Sequence, residues 1–278
     1  MKSLAFLDFQ IKRSVLRLRW LLPLPVFLFI AYYSKNGIQV LANSYNVSAN
    51  VWDILLYALG NSPTIYLALT TLFLFLVCDL VPEPNFEQWI MLRLGSRCLW
   101  WREKILTLCA ASLCYTTLVT GIILLYAGLS LPWQNQWSGM ITTWKNVEMG
   151  LPKEVIDSSP LVISLQHVSL LALGWIGIGM LTITVSLWSQ RWLIGYLAGC
   201  VVLLSGYIDT LFVGSLPTKF PYVLMITYHL EYTPGWIPQR NIPFSYSLLY
   251  WLAWIIILGG IGVWINQRQD HLARKQRE

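Results

Sequence analysis

The chain has 278 residues, of which 56% are hydrophobic and only 12% charged, and its 19 Lys and Arg against 13 Asp and Glu leave a formal net charge of +6. Soluble domains carry about 25% charged residues, so this composition excludes a surface that faces water throughout and implies a membrane protein. The positive excess reads as attraction to an anionic leaflet, because no basic stretch has the interleaving or fold signature of a nucleic-acid binder.

Residues 1–19 place Leu4, Leu7, Ile11, Val15 and Leu18 at helical spacing, with Arg13 and Arg17 opposite. That pattern predicts a helix lying in the membrane interface before the first crossing. No small-residue cleavage site follows the first apolar run, so a cleavable signal is not expected.

A helix needs about 20 mostly apolar residues to cross a bilayer. Six segments meet or approach that length: 20–39, 63–80, 105–129, 168–188, 192–211 and 247–265. The predicted fold is a single all-α integral membrane domain over 1–278 with six transmembrane helices and the N-terminal interfacial helix. With the N-terminus inside, 14 of the 19 Lys and Arg residues fall on the cytoplasmic pieces. This positive-inside bias places both termini in the cytoplasm. Loops 130–164 and 212–246 are then extracellular. In the second, five prolines surround the apolar run "YVLMITYHL", which is too short to cross and reads as a re-entrant or interfacial piece before the sixth span.

Covalent chemistry has no visible home in this sequence. Phosphate-binding loops, zinc-protease and nucleophile-elbow motifs are all missing, and no Cys or His pairs have metal spacing. The five cysteines read as structural thiols, and His167, His229 and His271 as structural or interfacial side chains. The apolar interiors of the six segments lack Asp, Glu, Lys and Arg, which disfavours a proton relay. Gly174, Gly177 and Gly179 in "GWIGIGM" suggest a close helix approach.

The segment with chemical character is the predicted cytoplasmic loop 81–104. Pro82 and Pro84 end the second span, Gly95 breaks a short interfacial element, and Ser96 is positioned to cap a new helix from Arg97. Its arginines and tryptophans read either as an inner-leaflet anchor or as a short projecting helix that docks on a cytoplasmic partner.

Two stretches carry a resemblance. One is "RLGSR" followed by tryptophan and lysine: Arg93, Leu94, Gly95, Ser96 and Arg97, then Trp100 or Trp101, then Lys104. The other is "NVWDILLYALGN" at 50–61. Together with the interfacial helix and the re-entrant-like segment, they make the chain resemble ABC-2-type membrane subunits of bacterial ATP-binding-cassette transporters, and most of all those of Gram-positive exporters.

The resemblance implies a permease subunit in a bacterial cell membrane that is not itself an enzyme and holds no cofactor. ATP and Mg would sit on a separate ATPase subunit, and a second permease chain, identical or similar, would complete the pore. Residues 94–104 would be the coupling helix, with Arg93, Arg97, Trp100, Trp101, Arg102, Glu103 and Lys104 as the coupling residues. An amphipathic cargo such as a peptide, lipid or hydrophobic antibiotic is expected. The alternative is a membrane-embedded interaction or immunity protein of the same topology that transports nothing.

Overall fold

A computed structural model of the chain describes residues 2–14, 17–81, 96–143, 157–211, 226–230 and 243–275. Among the described residues the chain is helical, with no strand. Helix α1 (Lys2–Ser14) leads through a 3-10 turn at Leu18–Leu21 into α2 (Pro23–Tyr45). Helix α3 (Val51–Leu59) precedes a π-helical stretch, Thr64–Thr70, which runs into α4 (Thr71–Val77) and a 3-10 turn at Cys78–Leu80. Then come α5 (Arg97–Gly128), α6 (Gly139–Thr143), α7 (Pro160–Ser189), α8 (Trp192–Leu211), α9 (Thr227–Leu230) and α10 (Phe244–Lys275).

By length and composition, three helices suffice to cross a membrane: Arg97–Gly128, Pro160–Ser189 and Phe244–Arg268. Two further candidates are bent pairs, one joining α1 to α2 and the other α3 to Thr64–Leu80, while Trp192–Ile208 is apolar but shorter. Helix ends follow local signals rather than the edge of the apolar run. Pro23 and Pro160 occupy first-turn positions, where a missing N–H costs nothing. Asn46 at φ 51° and Gln190 at φ 56° close α2 and α7 in the left-handed region. As a result α2 runs past the expected end at Gln39 to Tyr45, and α7 begins at Pro160, inside the expected extracellular loop, rather than at 168.

Helix α7 is the most enclosed of the three long helices and forms the axis of the bundle. Ser112 donates its hydroxyl to the Ala172 carbonyl at 2.8 Å, and Leu108 packs on Gly179, so α5 runs antiparallel to α7. Trp251 fills the space left by Gly174 and Gly177, and Met180 faces Gly259, so α10 runs parallel to α7. The "GWIGIGM" glycines thus admit partners from the same chain. Helix α8 folds back on α7 with Gly195 and Gly199 against Ser186 and Thr182.

At mid-bundle, the buried Tyr115 ring is surrounded by Trp175, Phe27, Phe73 and Trp20 at centroid distances of 4.9, 5.1, 5.3 and 6.4 Å. The start of α5, the end of α7 and the final turns of α10 therefore share one end. Arg17, Arg19, Arg97, Arg102, Arg191 and Arg268 belong to that basic end. The opposite end carries α3, α6 and the first turn of α7. Helix α3 has nine residues, is about 13.5 Å long and turns 82° from Thr64–Leu80.

Several expectations fall outside the described residues: most of loop 81–104 (82–95, including Arg93), most of the re-entrant segment and 144–156 of loop 130–164. The interfacial helix expected over 1–19 is shorter. It ends at Ser14, and among its described side chains, those of residues 8–14, Gln10 and Ser14 are buried and Ile11 is half-buried beside the core; Leu18, past its end, is exposed.

Candidate functional site

Ser96 stands at the N-cap of α5 in extended conformation, and the helix then runs unbroken for 32 residues. The expected coupling residues 97–104 are therefore the first two turns of a membrane-length helix. Their side chains divide sharply. Cys98, Leu99 and Arg102 are exposed and Arg97 is half-buried. Trp100, Trp101, Glu103 and Lys104 are buried, at 0, 1, 1 and 0% exposure.

This corrects the expectation of two projecting tryptophans. The buried positions 100, 101, 104, 108, 111 and 115 continue the inward face of α5, so helical phase turns both indoles toward neighbouring helices. Trp101 donates its indole N–H to the Gly259 carbonyl at 3.1 Å, and its ring occupies the space a side chain at Gly262 would take. One turn earlier, Arg97 Nη1 donates to the Asn266 carbonyl at 3.3 Å, and Asn266 Nδ2 donates back to the Arg97 carbonyl at 3.4 Å. The start of α5 is thus fastened to α10.

The charged residues are fastened as well. Arg102 Nη2 lies 2.8 Å from Glu103 Oε1. Lys104 donates to Gln10 Oε1 at 3.5 Å, and its ammonium lies 5.6 Å from the centre of the Trp100 ring. An ammonium near an indole face gains from the ring quadrupole, and the gain grows where water is excluded. Beside this cluster, Asp79 accepts from Arg17 Nη1 at 2.9 Å and Arg19 Nη2 at 2.6 Å. Two guanidiniums on one carboxylate tie the segment after α1 to the end of the Thr64–Leu80 segment and leave local positive charge. Gln10, Asn266, Gly259 and Gly262 were not singled out from the sequence. The signal for the glycines was present, since "GGIG" leaves a flat strip on an apolar helix.

Nothing in this cluster pairs a nucleophile with a base. Among the described residues no group of His, Cys, Asp and Glu is placed to hold a metal, and the five cysteines are free thiols. His167 donates from Nε2 to the Leu59 carbonyl at 2.8 Å, and His229 shares a 3.0 Å hydrogen bond with Ser247 while stacking on Tyr250. Both histidines are buried and hold helices together. The basic end presents a short exposed face on a helix whose opposite side is bonded to α1 and α10.

No family model and no solved structure matches the chain. A similar protein is the uncharacterized protein BH0177 of Halalkalibacterium halodurans, 23% identical over 257 residues that cover 91% of this chain and 90% of that protein. The likeness therefore extends over nearly the whole of both chains.

Proposed function

We propose that the chain is the transmembrane subunit of an ATP-binding-cassette exporter in a bacterial cell membrane. In this reading it crosses the bilayer six times, through α2, Thr64–Leu80, α5, α7, α8 and α10, with both termini cytoplasmic. The basic end is the cytoplasmic end, as the positive-inside bias requires, and the alternating helix directions agree with that order. A separate ATPase, carrying ATP and Mg, docks there, and a second permease chain completes the path for an amphipathic cargo.

The observation that carries the reading is the continuity of α5. Residues 97–104 and the apolar segment that follows form one unbroken helix, bonded to α10 through Trp101 and Asn266. A push on the exposed side of the first two turns would move α5 and α10 together. The docking face is then Cys98, Leu99 and Arg102 with Arg97 at its edge, and Trp100, Trp101 and Lys104 transmit rather than dock. ATP binding and hydrolysis supply the free-energy difference between conformations, so the spans need no titratable relay.

The test is a pull-down of the tagged chain from native membranes in mild detergent, beside a Leu99→Glu, Arg102→Glu variant and a Trp101→Phe variant. Recovery of an ATP-binding-cassette ATPase with wild type and Trp101→Phe, but not with the charge-reversed variant, is expected. Equal recovery with all three would remove the docking role from this face. Absence of an ATPase from every sample would remove the transporter reading and favour the interaction or immunity protein.

A further inference from the structure

The end of the bundle opposite the arginines carries a carboxylate with no counter-charge among the described residues. Asp53 is 3% exposed and forms no ion pair with any of them. Its Oδ2 accepts the Asn50 backbone N–H at 2.7 Å, while Asn50 Oδ1 accepts from the backbone N–H groups of Trp52 and Asp53, which completes a capping box. Asp53 Oδ1 is buried without a hydrogen-bond partner, and the Ser138 hydroxyl lies beside the carboxyl.

The same few residues clasp the connection after α5. Asn50 Nδ2 donates to the Gln136 carbonyl at 2.7 Å, and the Trp52 indole to the Gln134 carbonyl at 2.9 Å. Val51 N donates to the Pro132 carbonyl at 3.4 Å, and Met140 N to the Ser48 carbonyl at 3.2 Å. Closing this clasp is what shuts water away from Asp53.

We propose that Asp53 is a protonation site that governs the clasp between α3 and residues 132–140: the neutral carboxyl holds it closed, and ionisation loosens it. An ionised carboxylate sealed from water has only the Asn50 N–H and the Ser138 hydroxyl to meet its charge among the described residues, with no cation there, and the least disruptive relief is to lift the connection and admit solvent. The titratable groups at this end of the surrounding elements are Tyr32, Tyr33, Lys35 and Tyr45 on α2, Tyr57 on α3, Tyr66 on Thr64–Thr70, Tyr126 on α5, Asp157 just before α7 and His167 on α7, while residues 129–143 contribute none. Lys35 sits over the Tyr126 ring, His167 donates to Leu59, and none of these groups pairs with Asp53.

Burial pushes the Asp53 carboxyl up from its ordinary 3.8 to about 6, against the weaker lowering effect of its hydrogen bonds. A group whose proton is held more tightly in the closed state favours closure fully below its open-state value. That support is lost as pH rises through about 6. Roughly two units correspond to about a hundredfold change in the closed-to-open ratio.

The test is hydrogen exchange by mass spectrometry on the detergent-purified full chain between pH 4 and pH 8, with rates corrected for the intrinsic pH dependence of exchange. Protection of peptides over 132–143 is expected to fall by up to a hundredfold across that range in wild type. Asp53→Asn is neutral at every pH and keeps an oxygen for the Asn50 N–H, so it is expected to stay protected throughout. Asp53→Ser, neutral and smaller, repeats that arm should Asp53→Asn fold poorly. Flat protection in wild type would overturn the proposal, as would a fall of equal size in the neutral variants.

Discussion

Trp101 donates its indole N–H to the Gly259 carbonyl at 3.1 Å and lays its ring over Gly262, joining the first turns of α5 to the middle of α10. The two parts of this contact separate by substitution. Trp101→Phe keeps most of the ring and loses the donor, costing about 1 kcal/mol. Gly262→Leu forces the ring out of its seat and is expected to cost about 1–3 kcal/mol. Thermal midpoints of the detergent-purified variants rank them, with Gly262→Leu the lower. An unchanged midpoint for Gly262→Leu would mean that the indole does not rest there.

Both halves of that contact were within reach of the sequence. Read back from Tyr115 in steps of three and four, the inward face of α5 passes through Ala111, Leu108, Lys104, Trp101 and Trp100. Once Tyr115 is known to face inward, the helical repeat turns the tryptophans inward with it. Proximity to Arg97, Arg102 and Lys104 argued the other way and misled, because basic residues at a span end say nothing about which neighbours are enclosed. The capping box was also legible, as Asn50 followed three residues later by Asp53 ahead of an apolar run. The same helical repeat places Lys104 inward, but its partner Gln10, 94 positions away on another helix, was not legible. The π-helical stretch inside the expected 63–80 span left no mark in composition, because it is set by hydrogen bonds rather than by hydropathy.

Glycines on these helices are predicted to divide by their surroundings. A side chain at Gly195 would meet the Ser186 side chain and the Thr182 backbone carbonyl, and backbone cannot rotate away. Gly195→Ala is expected to cost about 1–3 kcal/mol by parting α7 from α8. Gly121 and Gly260 have nothing within 4 Å of where a methyl group would sit, so alanine there should be neutral or stabilising by up to about 1 kcal/mol. Thermal midpoints of the three single variants check this. Gly195→Ala melting with Gly121→Ala would refute the close α7–α8 approach.

The two arginines on Asp79 make a prediction about salt. Arg17 is 40% exposed and Arg19 19%, with Asp79 at 35%, so solvent screens the Arg17 pair more. Arg19→Ala is expected to destabilise more than Arg17→Ala, by about 1 kcal/mol against a few tenths. The gap should narrow from about 50 mM to about 500 mM salt as screening reaches the partly exposed groups. Identical losses for the two variants at both salt concentrations would show that the carboxylate does not hold the segment through these bonds.

The mid-bundle network leads to the sharpest energetic prediction. Tyr115 donates its hydroxyl to the Leu69 carbonyl at 2.8 Å, and Trp175 donates its indole N–H to Thr70 Oγ1 at 3.0 Å. Both acceptors lie at the end of the π-helical Thr64–Thr70 stretch, where Thr70 and Thr71 also send their hydroxyls five residues back, to the Ile65 and Tyr66 carbonyls. A π stretch is held by such added bonds, because its own backbone geometry is less favourable than that of an α-helix. Removing either donor leaves a buried acceptor unmet at about 1–2 kcal/mol. If both donors hold the same backbone register, the first loss lets the stretch relax and the second then costs less. Tyr115→Phe and Trp175→Phe should therefore be less than additive, with a coupling of about 0.5–1 kcal/mol in a double-mutant cycle read from unfolding in mixed detergent. Strict additivity would make the two bonds independent struts on a helix whose register is fixed elsewhere.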